Sequence, residues 1–583
     1  MKRNVIFYSF LLFICFLFFS CLSPYSGPEE ETTITITMGN PGNERILVGN
    51  TGTNPEFFGF DHELFLNGVR VPDVATASNA AGTGATTLTL TATVTLAPGA
   101  NHISIRAYDP NNTNSNLTSF GTGTRILRAV TASSVTISSS HLSSGVPIPI
   151  SMTSAMEVNS WAQLREAVGT GVTATAREEI IFLKSEASPG AYTATGVGIT
   201  IDRSIYLRAL DNVTINRGMV SGDLFIVGTG GVASGRLNLQ GSSSAILTLD
   251  GDGTPVNSPL ITVSGGTLEM HDGVHLQNNH NTVGLGNGGA VSVTDGRFNM
   301  HGGVIGSDNP SLGNRAGNGG GGVYVVWTPG NLGFEMRGGT IMNNTADHGG
   351  GVFVFNNGAF TMHAGDIRNN RADLSGGGVR VQSSGFNMYG GIIGSTTTGQ
   401  GNTAQSGGGV SVMSGTFNMS GNASVHGNEA TGIPTSTGGG VLVTLSTHFS
   451  MDENASVRNN MAHSTGTGTS GRGGGVAVRD LGTIFEMRGN AVIRNNEASG
   501  DAGGYGGGVY VEDEGAFRLA GGTVYGNMIA AGASANTAPN GAALYVQASP
   551  GPGTATATFG PGGTSFGGTP PFGRDDTITQ DGP

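Results

Sequence analysis

Between Gly288 and Asn527 one pattern recurs eight times: small residues, Val-x-Val, a short gap, Phe-x-Met (Leu in the last unit), a Gly- or Asn-rich pair, Ile or Val, then usually Asn. The opening valines are Val291, Val323, Val352, Val379, Val410, Val441, Val476 and Val509, so the period runs from 27 to 35 residues. A unit of that length cannot bury its own apolar face, and repetition lets each copy bury the next. The chain is thereby constrained to a solenoid, whose function belongs to a long repeating wall before it belongs to a single pocket.

Within a unit the apolar residues alternate with a period of two, as in Val352-x-Val354, Phe360-x-Met362 and Gly365-x-Ile367, in runs too short for helices. These read as strands that pair with their counterparts one unit on, about 4.8 Å away. The predicted fold class is all-β: a right-handed parallel β-helix with three strands per coil and roughly 11 to 13 coils, preceded by a small immunoglobulin-like β-sandwich. Val, Phe, Met and Ile are expected to point inward and to stack on their own kind. Asn343-Asn344, Asn369-Asn370, Asn459-Asn460 and Asn495-Asn496 mark a corner where Asn tolerates the left-handed region and its amide can bond to the Asn of the next coil. Length varies mostly between that Asn and the following Gly cluster, so one polar loop per coil is free to grow.

Composition narrows the functional classes. Only 11% of the 583 residues are charged and 37% are hydrophobic, which suits a β-rich extracellular body. Net charge is −13, and no dense Lys/Arg run follows the first three residues, which argues against a nucleic-acid partner.

Lys2 and Arg3 precede an apolar run from Val5 to Phe19, followed by Ser20-Cys21, the layout of a secretory signal. The segment resembles a bacterial lipoprotein signal, with Phe18-Phe19-Ser20-Cys21 as its lipobox and Phe18 standing where Leu is usual. The resemblance implies cleavage of residues 1–21, acylation of Cys21, a tether over 22–31, and an exported location at the cell surface or outer membrane, held by the lipid. The two cysteines are Cys15 and Cys21, so no disulfide is expected in the mature body.

Domain limits follow from where the repeat is absent. Residues 32–150 alternate without repeating and read as the β-sandwich, and Leu96 to Ala107 resembles the hairpin of bacterial immunoglobulin-like domains. Ser160 to Val168 is an amphipathic helix opened by a Ser N-cap, placed to plug the first coil of a β-helix over 151–550. Residues 551–583 form a Gly/Pro-rich end. From about Ser151 to Ser549 the units resemble polymorphic outer-membrane protein repeats and the β-helix surface lipoproteins of the pectin-lyase-like superfamily. The units here are Gly-Gly-Gly-Val and Ile-x-Asn-Asn instead of Gly-Gly-Ala-Ile and Phe-x-x-Asn, and Pro570 to Pro583 holds no amphipathic barrel strands. The resemblance therefore implies the fold and surface display, and not self-transport.

The outer wall carries the candidate sites. A β-helix polysaccharide lyase needs clustered carboxylates for Ca²⁺ and an Arg or Lys base, and the nearest candidate is Asp250-x-Asp252, which also fits an ordinary Asp/Gly turn. No cofactor or resident metal is expected, although His271, His301 and His275 could meet at a fortuitous Zn²⁺ or Ni²⁺ site. Two outward columns emerge when units are aligned. The position after Met holds His271, His301, Arg337, His363, Tyr389, Ser420, Asp452 and Arg488; the position after Ile or Val holds Arg368, His426, Arg458, Arg494 and Tyr525. Rings and planar cations at coil spacing can stack on sugars or grip anionic glycans, and they can equally form a solvated face. A third column, Tyr324, Phe353, Leu442 and Tyr510, is expected either to form an apolar interaction stripe or to lie beneath the variable loops. The leading expectation is a non-enzymatic lipid-anchored adhesin or antigen whose partners are the membrane and host glycans or matrix proteins. The alternatives are a polysaccharide lyase or hydrolase and a structural envelope spacer.

Overall fold

The computed structural model describes residues 152–169, 178–220, 222–229, 235–328, 333–526 and 535–547, and shorter stretches at 30–38, 61–67, 69–71, 75–78, 88–96, 101–109, 126–131, 135–137, 148–150, 555–559, 564–565, 572–574 and 578–580. The expected signal, Cys21 and the tether up to residue 29 lie outside the described residues. The chain divides into two compact units, Met1–Glu157 and Val158–Pro583.

In the first unit the described strands form two groups. Leu88–Leu96 pairs antiparallel with Glu30–Met38 and with Ala75–Ser78. Asn101–Asp109 pairs antiparallel with Asp61–Leu66, Ile126–Thr131 and Val135–Ile137. This corrects the hairpin expected over Leu96–Ala107: the strands on either side of its turn pair in different groups, because each is longer than a tight hairpin needs and finds its partners elsewhere. Leu64, Ile103 and Ile105 are fully buried where Asp61–Leu66 and Asn101–Asp109 meet.

The second unit is a right-handed parallel β-helix with three long sheets. The Val sheet runs in parallel register from Ile199–Ile201 to Leu544–Val546. The Phe sheet runs from Glu178–Leu183 to Thr556–Phe559, and the Ile sheet from Val213–Asn216 to Gly522–Val524. Register is like on like: Phe360 pairs with Phe386 and Met362 with Met388, Phe386 with Phe417, and Ile367 with Ile393. Eight phenylalanines from Phe298 to Phe517 form one internal stack with centroids 4.5 to 5.1 Å apart and interplanar angles of 4 to 26°. Such spacing is the strand separation itself, so the rings stack because the backbones do.

To these three sheets the structure adds a fourth. Immediately after each corner Asn comes a short paired strand, as in Thr345–His348, Arg371–Ser375, Glu429–Ala430 and Met461–His463, within a sheet of nine such strands. Its inward residue is nearly always alanine: Ala346, Ala372, Ala404, Ala430, Ala462 and Ala498 are all at most 2% exposed. The first part of the polar stretch is therefore wall, and only its remainder is loop.

Asparagines hold the corner between the Ile and Ala sheets. Asn343, Asn369, Asn459 and Asn495 take positive φ of 54 to 57°, while the next residue turns inward. Asn344 donates from its backbone N and its Nδ2 to the Asn370 Oδ1, both at 3.0 Å, and from Nδ2 to the Ile305 carbonyl at 2.9 Å. The link between neighbouring side-chain amides repeats through Asn314, Asn344, Asn370, Asn402, Asn428, Asn460, Asn496 and Asn536. Facing this file, the Gly triplets turn the chain back into the Val sheet with almost no room: a Cβ on Gly350 would lie 2.4 Å from the Arg371 carbonyl oxygen.

Both ends of the stack are covered. Helix α1, Trp161–Gly169, buries Trp161, Leu164, Ala167 and Val168, with Trp161 edge-on to Phe225 at 6.2 Å. Ser160 Oγ accepts from Gln163 N and Gln163 Oε1 accepts from Asn159 N, a capping box that starts the helix. At the other end the Gly/Pro-rich segment returns antiparallel along each sheet: Phe572–Arg574 on Leu544–Val546, Ile578–Gln580 on Gly522–Val524, and Thr564–Ser565 on Thr558–Phe559. Edge strands that would otherwise template aggregation are thus paired.

Replacing Asn402 by Ala removes the acceptor of two buried donors, Asn370 N and Nδ2. At roughly 1–3 kcal/mol per orphaned group, the loss should be about 2–5 kcal/mol, whereas Ser420→Ala on the outward face should change stability by less than about 0.5 kcal/mol. Urea midpoints measured side by side check this, and equal midpoints would remove the asparagine file from its structural role.

Candidate functional site

Because each Met points inward, the residue after it is turned out at the corner between the Phe and Ile sheets. The backbone N of His301 donates to the Met270 carbonyl, Arg337 to Met300, His363 to Met336 and Tyr389 to Met362, each at 2.8 Å. These hydrogen bonds set His271, His301, Arg337, His363 and Tyr389 in one file, a coil apart. The His271 and His301 rings stack at 4.7 Å and 8°, and His363 and Tyr389 at 5.5 Å and 28°. His301, Arg337, His363 and Tyr389 are exposed, and His271 is half-buried.

Carboxylates from the position between Phe and Met anchor this file. Glu269 accepts from His301 Nε2 at 2.8 Å, Arg236 Nη2 at 3.1 Å and Asn299 Nδ2 at 3.1 Å. Glu335 meets Arg337 Nη2 at 2.6 Å and His363 Nε2 at 2.9 Å. Partial burial acts to raise the Glu335 carboxyl, but the His363 hydrogen bond and the Arg337 guanidinium hold it below the usual carboxylate range. Beside the first two rings lies an open cleft of about 730 Å³ lined by Gln240, Ser242, His271, Asp272, His275 and His301. Burial pushes His271 and His275 below the usual imidazole value, His271 further because of His301. At neutral pH the cleft therefore presents uncharged His271 and His275 beside the Asp272 carboxyl and the Ser242 and Gln240 side chains.

The second column does not form one surface. Arg368 lies against Met342 Sδ at 3.4 Å and pairs with Asp308 at 3.7 Å, from a segment inserted between Ile305 and Asn314. Gly394 then interrupts the file. Beyond it His426, Arg458 and Arg494 pair in register on consecutive coils. His426 is a correction to the expected wall: it is only 6% exposed and is not presented to solvent. The segment inserted after Gly394 runs against it, with Ser395 N donating to the His426 carbonyl at 2.9 Å. Burial first, and then Arg458 and Arg494, push its imidazole down to about 4.

Asp250 and Asp252 form a turn. Asp250 accepts from Asp252 N, Gln277 Nε2 and Asn278 Nδ2 at 2.8 to 2.9 Å, and Asp252 accepts from Gly218 N at 2.6 Å with its own φ at 61°. Three of their four oxygens accept from protein donors. No group of three or more His, Cys, Asp or Glu among the described residues is placed to hold a metal, the His271, His275 and His301 cluster included. The third column resolves to the covered alternative. Tyr324, Phe353, Leu442 and Tyr510 are at most 8% exposed. Gly319 leaves space for the Phe353 ring, which a Cβ would meet at 2.0 Å, and the loop strands Ser470–Arg472 and Gly503–Tyr505 bring Arg472 over Tyr510 at 5.5 Å.

Two buried cations escape sequence reasoning. Arg217, 1% exposed, donates from Nε to Asn279 Oδ1 at 3.0 Å and to the carbonyls of Gly222, Ser258 and Pro259, so it ends the asparagine file. Gly251 makes this possible by standing where the next Asn would, since a Cβ there would fall 2.3 Å from the Asn279 Cα. Arg380, between Val379 and Val381, donates to Ser411 Oγ at 2.5 Å beneath the loop layer. Burial lowers both guanidinium groups to about 10. The available signal was positional: a charged residue at an inward or covered column, where the other coils carry Asn, Tyr or Phe.

No protein-family model, curated protein or solved structure matches this chain.

The His426 imidazole yields a pH prediction. Folded, it protonates only near pH 4, whereas an unfolded histidine does so near 6.5. Between those values the unfolded chain binds the extra proton, so the full contribution is present above about pH 6.5 and is lost as pH falls toward about 4. His426→Gln should flatten the drop in thermal midpoint between about pH 7 and about pH 5. His271, His275, His280 and His348, all lowered by burial, keep part of that drop in the variant. An unchanged slope would exclude His426 as a contributor.

Proposed function

We propose that this chain is a non-enzymatic, exported surface protein, lipid-anchored at Cys21, that binds saccharides of a host or matrix along its β-helix wall. The observation that carries the reading is the file of outward rings, His271 on His301 and His363 on Tyr389, at coil spacing beside an open polar cleft. The stacked rings turn their edges outward, where imidazole nitrogens, with Gln240, Ser242 and Asp272, offer hydrogen bonds to sugar hydroxyls. A parallel β-helix presents these groups on strands and tight corners, so little ordering is left to do on binding. The non-enzymatic part is supported by the two carboxylates of the ring file, Glu269 and Glu335. A general acid needs a raised carboxyl pKa, whereas Glu335 is held low and Glu269 is engaged by Arg236, His301 and Asn299.

Full-length protein purified in detergent should retain saccharides on a glycan array, and His271→Ala with His301→Ala should weaken that retention by about tenfold or more, as loss of a central ring contact does, at an unchanged thermal midpoint. Failure of the wild-type chain to bind any glycan, matrix protein or cell would sink the binding reading, and release of unsaturated uronides would overturn its non-enzymatic part. Cys21→Ala should move the protein from the membrane fraction to the soluble one; retention in the membrane would remove the lipid anchor.

A further inference from the structure

Arg458 and Arg494 lack the carboxylate partner that several other arginines of the wall have. Arg236, Arg337 and Arg488 each have a carboxylate at 2.6 to 3.1 Å, and Arg368, in their own column, has Asp308 at 3.7 Å. Among the described residues no carboxylate lies within ion-pair distance of Arg458 or Arg494. Instead they occupy register-paired positions on adjacent coils, so two guanidinium side chains rise from backbone positions about 4.8 Å apart, near enough for the Arg494 charge to act on Arg458. The Nε atoms of both are buried and have no hydrogen-bond partner in the protein. Like charges on adjacent coils repel, and an anion bound at the Nη atoms between the two guanidinium groups relieves that repulsion.

The surroundings favour the same occupant. His426 closes one end of the pair, buried, with its Nδ1 also unpartnered, and it stays neutral until about pH 4. Two residues before Arg458, on the same outward face, Ser456 Oγ donates to Ser424 Oγ at 3.1 Å. Tyr525, whose N donates to the Ile493 carbonyl, follows Arg494 at the other end. The lining is thus cationic in the middle and neutral at its edges. Guanidinium forks suit carboxylate and sulfate oxygens, to which they make two parallel hydrogen bonds. A polyanion such as nucleic acid would need a broad basic field, which a chain of net charge −13 does not supply.

We propose that Arg458 and Arg494 clamp a single oxyanion, a sulfate ester or a uronate carboxylate, borne by an acidic glycan. The clamp lies on the outer face of the Ile sheet, apart from the file of rings, and it rests on the surface-binding reading only for the nature of the carrier.

The test uses the full-length chain in detergent, with immobilised heparin as sulfate probe, polygalacturonate as uronate probe and dextran as neutral probe. At about 0.15 M salt the double variant Arg458→Gln/Arg494→Gln should lose at least about tenfold in affinity for the polyanion that the wild type holds. Arg315→Gln/Arg371→Gln removes the same charge from the neighbouring Ala sheet and should change it less than twofold. Arg458→Lys/Arg494→Lys should recover only part, since an ammonium lacks the planar fork. At millimolar concentration, matched in ionic strength with sodium chloride, sodium sulfate should raise the thermal midpoint of the wild type more than that of the double Gln variant, whose own cooperative melt shows that it is folded; an equal rise in both, as general exclusion of sulfate gives, overturns the clamp. Retention on heparin alone assigns the sulfate ester, retention on polygalacturonate alone the carboxylate, and retention on both assigns the shared oxyanion. The proposal is overturned if neither polyanion binds, if the double Gln variant binds as the wild type does, or if the Arg315/Arg371 control loses as much. Dextran binding should follow His271 and His301 and ignore both arginines, so failure of the ring wall and failure of the clamp remain distinguishable.

Discussion

A file of asparagine amides from Asn279 to Asn536 ties each coil of the regular array to the next. Each interior member gives two hydrogen bonds from its side chain and accepts two at its Oδ1, so a buried polar column is fully satisfied without water. One residue out of step anywhere along it would orphan several buried groups at once. Register is therefore over-determined at this corner, and the Phe, Met, Val and Ile files inherit it. The ends of the file are handled chemically as well. Arg217 donates to Asn279 at the first, and at the last Asn536 Nδ2 turns to the Tyr525 carbonyl at 2.6 Å.

Strict register has a consequence on the outside. Every outward position faces its own counterpart, so a charge or ring placed there is repeated or contradicted one strand spacing away. Along the ring file the chain resolves this with carboxylates on the neighbouring column, Glu269, Glu335 and Glu486, each beside an arginine. Arg458 and Arg494 lack that resolution. The geometry that builds a stable core thus also sets two guanidinium groups without carboxylate partners, Arg458 and Arg494, on adjacent coils.

Much of this was legible in the one-dimensional pattern. Val-x-Val, Phe-x-Met and Ile at fixed spacing describe three strands, since a side-chain period of two leaves no choice of face once the core is known, and the paired asparagines announced their corner through residue type. Less visible was the Ala strand, although Asn-x-Ala recurs from Asn314-Arg-Ala316 to Asn496-Glu-Ala498; alanine amid polar residues carries too little hydrophobic signal to mark a strand. The partition of Leu88–Leu96 and Asn101–Asp109 between separate groups was hidden because alternation says nothing about which strand is the partner. Of the candidate wall, His271, His301, His363 and Tyr389 do form a file, but His426 is buried and Arg368 is tied to an inserted segment. Spacing within a unit cannot reveal where an insertion of another unit will lie.

By itself the sequence determined the repeat, the inward residues and the stacking of like on like, because these depend on local alternation and on a period shared by every unit. Only the tertiary structure decided which outward residues are reachable, which loops fold back over Tyr324, Phe353 and Tyr510, and that Arg217 rather than an asparagine begins the polar file. Those outcomes depend on contacts between coils and on the space left by particular glycines such as Gly251 and Gly319, and such contacts exist only once the coils are stacked.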